Sequence, residues 1–342
     1  MRAPAFWWQP ETTLSARLLS PLGAALGAIA TARMRRHGDE IGLPILCVGN
    51  PTVGGAGKTP AALHLAQRLI GARRRPVFLT RGYGGAIGGP VVVDLPRHDA
   101  RMVGDEALLL ARTAPTVVAR DRLAGGLIAR RIGADVVVMD DGFQNPALAK
   151  TLSLLVIDTQ VGIGNGLCVP AGPLRAPLAP QLARAQAVLL IGEGGAAEPV
   201  ARMATSAGCA VLRGRLAPAA EVAARLFGQR ALAFAGIGRP EKFFATLRAS
   251  GVSPVACRTF PDHHYFTPSE ATKLLAEAES QDLVPVTTEK DAVRLTAHEP
   301  GRRLLAVSEV LPVRLVLEPA SARTLDALLA RALPTPDPAL RR

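Results

Sequence analysis

Short apolar runs alternate with segments of helical period along most of the chain. Residues 45–48, 76–80, 116–119, 134–141, 152–158 and 187–192 read as strands. Residues 61–70 and 107–112, and a segment after Arg122, repeat their apolar positions as amphipathic helices do. The run Val136-Val-Val-Met139 has no polar interruption, which suits a strand covered on both faces of a parallel sheet. Strands alternating with helices in this way predict an α/β fold, a parallel sheet with helices on both faces. Around 195–230 the pattern loosens, with Gly194-Gly195 and a break at Pro218. A second α/β unit starts at 230–238 and continues as helix 240–250, strand 255–260, helix 269–280, strand 284–288 and a closing helix from Ala320. The expected organisation is a segment 1–43, a main domain 44–225 and a smaller domain 226–342 facing the first across a cleft.

Residues 1–43 follow a different pattern. Phe6, Trp7 and Trp8 precede a largely apolar stretch, 14–32, which is followed by Arg33, Arg35, Arg36 and His37. The uninterrupted part, 18–32, carries Pro21, Gly23 and Gly27 and is short against the ~20 apolar residues of a spanning helix. A signal peptide would carry its charge before the apolar stretch, and here the charge follows. The expectation is a helix lying in the membrane interface, tryptophan at headgroup depth and arginine on anionic lipid. Packing on the protein's own core is the alternative.

Composition narrows the partners. Apolar residues make up 49% of the 342, so the chain can bury two cores. Cys47, Cys168, Cys209 and Cys257 are scattered without a Cys-x-x-Cys pair, which argues against a disulfide frame or zinc site and for reduced thiols. A formal charge of +12 favours an anionic partner: nucleic acid, a membrane surface or a phosphorylated substrate. With only 4% aromatics and no basic stripe interleaved with stacking rings, nucleic acid is not expected.

The strongest chemical signal is Val48-Gly-Asn-Pro-Thr-Val-Gly-Gly-Ala-Gly-Lys-Thr-Pro60, between a strand and a helix. Glycines turn backbone N–H groups onto a phosphate, and the helix N-terminus adds its dipole. Thr52, Val53, Gly54, Gly55, Ala56, Gly57, Lys58 and Thr59 are therefore expected to cradle a nucleotide, Lys58 reaching the β/γ-phosphates and Thr59 binding Mg²⁺. Thr52 stands where the first glycine of such loops usually falls. Downstream, Asp140 and Asp141 end the 134–141 strand where a phosphate-loop enzyme holds Mg²⁺ or its water.

Other positions are open to two readings. Arg81 and Tyr83, in a glycine-rich loop after a strand, are substrate contacts or parts of an ordinary turn. Arg120 and Arg122 are a phosphate clamp or a solvated pair. Asp105 and Glu106 fit a first helical turn, where capping explains them sufficiently. Gly236-Ile-Gly238 reads as a tight strand–helix turn. His263, in Phe-Pro-Asp-His-His-Tyr-Phe266, is a general-base candidate or a surface histidine.

Taken together, these motifs resemble the tetraacyldisaccharide 4′-kinase family. The match comprises the glycine-rich stretch, Arg81-Gly-Tyr-Gly-Gly85, Gly104-Asp-Glu106, Asp140-Asp-Gly-Phe-Gln144, Pro170-Ala-Gly-Pro-Leu-Arg175, Phe260-Pro-Asp-His263 and Thr287-Thr-Glu-Lys-Asp291. These run in the family's order from about residue 6 to about residue 295 and are specific as a set. The resemblance implies a monomeric, peripheral enzyme on the cytoplasmic face of the bacterial inner membrane. It would move the ATP γ-phosphate to the 4′-hydroxyl of a tetraacyl disaccharide 1-phosphate in lipid A biosynthesis. It also implies that Asp105 activates that hydroxyl together with His263. With Asp105 in the first domain and His263 in the second, closing of the cleft is expected to assemble the pair. ATP and Mg²⁺ are the implied cofactors, with Thr59, Asp140, Asp141 and Glu106 toward the metal and Arg81, Tyr83, Arg122, Gln144 and Arg175 toward the substrate. The chain departs from the family pattern at Asn145, where histidine is frequent, and at Ala176, where glutamate is common. Glu106 or Asp141 would then stand in for that glutamate. A nucleotide-driven switch is the rival reading. Its GTPase form lacks the Asn-Lys-x-Asp guanine motif.

Overall fold

A computed structural model describes residues 3–9 and 11–333. Its strands, in chain order, are β1 (Ile45–Gly49), β2 (Pro76–Thr80), β3 (Val91–Val92), β4 (Thr116–Val118), β5 (Val136–Asp140), β6 (Leu152–Asp158), β7 (Ala187–Ile191) and β8 (Ala210–Pro218). They continue as β9 (Arg230–Ala235), β10 (Ser253–Thr259), β11 (Val284–Thr288), β12 (Glu309–Leu311) and β13 (Val313–Leu317). Nine form one sheet in the order β13-β8-β7-β6-β1-β5-β2-β4-β3. Its neighbours are parallel except at the two ends, where β13 runs against β8 and β3 against β4.

Every residue of β1, β2, β5, β6 and β7 is buried, in keeping with their largely apolar runs. Alternate residues project to opposite faces. Ile45, Cys47, Val137, Met139, Leu155 and Ile157 enter one core, and Leu46, Val48, Val136, Val138, Leu154 and Val156 enter the other. Because β1 lies between β5 and β6, the loops leaving all three emerge side by side at one edge. That edge is where open α/β sheets take their ligands.

The second sheet is parallel, in the order β10-β9-β11-β12, with an apolar cluster on each face. The expected smaller domain, 226–342, needs correction at its end. β13 pairs with β8 of the large sheet, and the helix Pro319–Ala332 packs there too, Arg68 pairing with Asp326. Leu315, Leu325 and Leu329 join the core of the large sheet, so burial decides where this segment belongs. Residues 334–342 lie outside the described part. The loosened stretch 195–230 holds the helices Glu198–Ser206 and Ala220–Leu226 around β8. Exposed and half-buried positions interrupt β8, which hides its strand signal.

The first long helix is Leu14–Met34, capped by the Thr13 hydroxyl and longer than the apolar stretch suggested. It is long and apolar enough to cross a membrane. Gly23 and Gly27 allow it to lie on the 168–177 loop: a Cβ at Gly23 would come within 2.6 Å of the Cys168 carbonyl, and one at Gly27 within 2.8 Å of the Cys168 Sγ. The other side carries Leu14, Leu18, Leu22, Leu26 and Ile29, all exposed. Trp7 contradicts its expected place at headgroup depth. It is buried, and its indole N–H donates to the Pro170 carbonyl at 2.9 Å. A buried indole satisfies its donor inside the protein, so Trp7 fixes the start of the segment to the fold.

Candidate active site at the edge of the large sheet

The glycine-rich stretch leaves β1 and starts the helix Lys58–Gly71, as expected. Gly54 and Gly57 adopt positive φ (116° and 90°), where a side chain would be strained. Gly57 caps the helix, and a Cβ there would sit 2.8 Å from Ile191 Cδ1. Thr52 needs no such freedom. It is buried, bridges Leu174 and accepts a hydrogen bond from Arg175 Nε at 3.0 Å, which accounts for the missing first glycine. The Val53 N–H donates to the Pro173 carbonyl, Ala56 is buried, and the Gly55 carbonyl accepts from Arg239. Lys58 Nζ lies 3.2 Å from Asn50 Oδ1 and 3.7 Å from Asp141 Oδ2. Asn50 also donates to the Gly54 carbonyl. Asn50 lay within the motif yet had no expected role.

Asp140 and Asp141 differ sharply although adjacent. Asp141, at φ 53°, takes two hydrogen bonds from Arg175, at 2.7 and 3.1 Å. Burial pushes its carboxyl up, but Lys58 and Arg175 outweigh this and hold it below the usual carboxylate range. Asp140 is fully buried, and neither of its carboxylate oxygens has a hydrogen-bond partner. Burial, with Glu106 and Asp141 nearby, pushes its pKa up to about 7. Two unpartnered buried oxygens are costly unless a cation meets them. The donors therefore fit a hard divalent cation, with Asp140 a more direct ligand candidate than Asp141. Among the described residues no group of three or more His, Cys, Asp or Glu is spaced to hold a metal by itself. Mg²⁺ does not need one, since it binds through few carboxylates together with water and phosphate oxygens. Thr59, buried at the start of its helix, and Glu106 complete the expected set, although Glu106 is held by Lys290 at 2.7 Å. The Lys290 charge keeps Glu106 ionised against its burial.

The third component is assembled from both sheets. Asp105 starts the helix Asp105–Ala111 and is buried, its Oδ1 accepting the Glu106 N–H at 2.8 Å. His263 lies in the turn after β10, in left-handed backbone at φ 57°, and its Nδ1 is 3.3 Å from Asp105 Oδ2. Burial would raise the Asp105 pKa. The His263 hydrogen bond and the Arg294 and Lys290 charges overcome it and hold the carboxyl well below its usual range. The hydrogen bond to Asp105 in turn raises the His263 pKa against the effect of its burial. Arg294, from the helix Glu289–Leu295, pairs with the same Asp105 oxygen.

The remaining expected residues divide. Arg81 and Tyr83 are exposed on the loop after β2, and the Tyr83 ring lies 5.3 Å from the His263 ring. Gln144 donates to the Asn50 carbonyl and to Gln181 Oε1, so it braces the glycine-rich loop. Arg175 is engaged by Asp141 and Thr52, both in this site. Arg122 departs from the expected phosphate clamp. It is buried and donates to the Ala119 carbonyl at 2.8 Å, so it braces the turn leaving β4. Residues not expected from sequence also converge here. Arg239 and Lys242, from the second unit, both pair with Asp158 at the end of β6. The signal for Lys290 was present in Thr-Thr-Glu-Lys-Asp. Arg294 follows three residues later and carried none.

The family model for tetraacyldisaccharide-1-P 4′-kinase matches residues 15–331. A tetraacyldisaccharide 4′-kinase of Methylobacterium sp. (strain 4-46) is 54% identical over 333 residues, covering 97% of this chain and 98% of its own. That of Xanthobacter autotrophicus is 54% identical over 337 residues, 97% of each chain. A crystal structure of LpxK from Aquifex aeolicus in complex with ATP superposes with a TM-score of 0.71 at 24% identity, covering 94% of this chain and 100% of that one. The fold is thus shared with that enzyme, and by sequence the chain belongs to the tetraacyldisaccharide 4′-kinase family.

Proposed function

We propose that this protein transfers the γ-phosphate of ATP to the 4′-hydroxyl of a tetraacyldisaccharide 1-phosphate, with Asp105 receiving the hydroxyl proton. The contact between Asp105 Oδ2 and His263 Nδ1, 3.3 Å across the two sheets, carries this reading. It lies at the edge from which the glycine-rich loop also emerges. Lys58 and the loop N–H groups hold the triphosphate and balance its charge, which is most of what a loose phosphoryl transfer asks of a protein. Mg²⁺, when bound among Thr59, Asp140 and Glu106, supplies further neutralisation of the phosphate oxygens. The acceptor oxygen then bonds to the γ-phosphorus, the bond to the ADP oxygen breaks, and the proton passes to Asp105. His263 orients that carboxylate and stabilises its charge. The pair comes from two sheets and is in place at 3.3 Å with those sheets docked, so moving one sheet off the other would break it.

The exposed row Leu14, Leu18, Leu22, Leu26 and Ile29, followed by Arg33, Arg35 and Arg36, supports attachment to an anionic membrane surface where the lipid acceptor resides. The side is the cytoplasmic one, where ATP is available. Purified protein in detergent micelles with γ-labelled ATP, Mg²⁺ and the disaccharide lipid checks the reading. Label is expected in the lipid, falling roughly 10²–10⁴-fold in Asp105→Ala, the range of a lost general base. Label released only as free phosphate would favour a nucleotide switch instead.

A further inference from the structure

The cluster behind Asp105 has more order than an acid–base pair needs. Arg294 is buried, and its Nη1 donates to the Gly236 carbonyl at 2.7 Å and to Asp291 Oδ1 at 3.0 Å. Its Nη2 bonds Asp105 Oδ2 and approaches His263 Nδ1 at 3.5 Å. Asp291 is itself fully buried and fixed: Oδ1 accepts the Gly236 N–H at 3.0 Å, and Oδ2 accepts the Thr288 hydroxyl at 2.7 Å. The Gly236 carbonyl also accepts the His263 N–H at 3.1 Å. One glycine thus ties together Asp291, Arg294 and the backbone of His263. A Cβ on Gly236 would lie 3.1 Å from Asp291 Oδ1 and 3.0 Å from His264 Cβ, which explains why glycine stands at this strand–helix turn.

We propose that Arg294, clamped by Asp291, is a positioning residue for Asp105, fixing the carboxylate that meets the acceptor hydroxyl as the smaller sheet seats on the larger. The proposal rests on Asp105 being the proton acceptor. Three bonds define the carboxylate: Arg294 and His263 share Oδ2, and the Glu106 N–H takes one site on Oδ1. An ionised carboxylate offers about four lone-pair sites, so acceptor capacity remains on Oδ1 for the hydroxyl while rotation is blocked. A guanidinium suits this task because its planar fork binds two carboxylates in fixed geometry, which a lysine ammonium cannot do. The contact also spans 189 residues of sequence and both sheets. Asp105 is therefore held in place only when β9, the His263 turn and the helix Glu289–Leu295 are all docked.

Steady-state kinetics with ATP and the disaccharide lipid, on Arg294→Gln, Arg294→Lys, Asp291→Asn, Asp105→Asn and the pair Arg294→Gln/Asp105→Asn, provide the check. Arg294→Gln is expected to lower kcat by about 10²-fold, the cost of a reacting group misplaced by about 1 Å. The KM for ATP stays within a factor of two to three of the parent. Arg294→Lys restores part of kcat, and Asp291→Asn reproduces the loss. In the Asp105→Asn background, Arg294→Gln costs little more, because nothing is left to position. A loss of the same size in both backgrounds would make Arg294 a general structural residue and overturn the proposal, as would parental kcat in Arg294→Gln. If Arg294→Gln does not fold, Asp291→Asn in the two Asp105 backgrounds gives the same comparison. Parental activity in Asp105→Asn removes the underlying assignment instead, whatever Arg294 does.

Discussion

The residues proposed to hold the triphosphate come from one stretch, 52–59, shaped by two positive-φ glycines and the end of β1. Those proposed to activate the acceptor, with the arginine that fixes them, come from three separate elements: the helix Asp105–Ala111, the turn holding His263 and the helix Glu289–Leu295. The first half is mainly backbone, with the Lys58 and Thr59 side chains, and is local in sequence. The second half is side chains, buried Asp105 and Arg294 with half-buried His263, and exists only where two sheets meet. On the proposed reading, the loop N–H groups and Lys58 answer the charge that any nucleoside triphosphate brings. The proposed acceptor activation depends instead on geometry that a shift of one sheet against the other would spoil. The two halves should therefore fail in different ways.

The largest contrast is expected at Asp140, which lies between them. Asp140→Asn should cost at least about a hundredfold in turnover, as removal of one preorganised electrostatic group does. In the absence of Mg²⁺ it should nevertheless melt higher than the parent, because an unpartnered buried carboxylate is replaced by a neutral amide. A gain of even 1 kcal/mol would raise Tm by about 2 °C. Scanning calorimetry with and without Mg²⁺ measures it, and a lower metal-free Tm would mean Asp140 has a role in folding rather than in holding a cation.

A smaller effect is expected at the second bridge between the halves. Asp158 draws Arg239 and Lys242 from the smaller sheet onto the end of β6, beside the glycine-rich loop. Asp158→Asn leaves those two cations facing each other with no carboxylate. Turnover should fall by about tenfold while the isolated ATP affinity changes less, since coupling at a shared network is on the order of 0.5–3 kcal/mol. Kinetics paired with nucleotide binding would separate these quantities. If affinity collapses while turnover survives, the bridge belongs to the nucleotide half.

The smallest catalytic effect is expected from the exposed row on the helix Leu14–Met34. Leu18→Glu with Leu22→Glu should change turnover on a short-chain acceptor in micelles by no more than about twofold. The same pair should move the protein off anionic vesicles, because attachment scales with the apolar area buried in the interface. Vesicle sedimentation reads this out. Retained binding would assign attachment to the basic residues alone.

Much of the molecule was legible in the sequence because its causes are local. Apolar runs marked β1, β2, β4, β5, β6 and β7, all fully buried, and glycines before Lys58 marked the loop that starts the next helix. Tertiary structure alone decided that β13 and the helix Pro319–Ala332 return to the large sheet, since the apolar pattern of a segment does not name the sheet that will bury it. It also decided that Trp7 is buried and that Arg122 is buried against the Ala119 carbonyl, although the aromatics read as interfacial and the arginine pair as a phosphate clamp or a solvated pair. Two neighbouring aspartates were equal in sequence, yet one is bound by Arg175 and the other has no partner, because strand burial and a left-handed turn send their carboxylates different ways. Arg294 carried no signal at all, for its meaning lies in a buried contact 189 residues away that only docking of the two sheets creates.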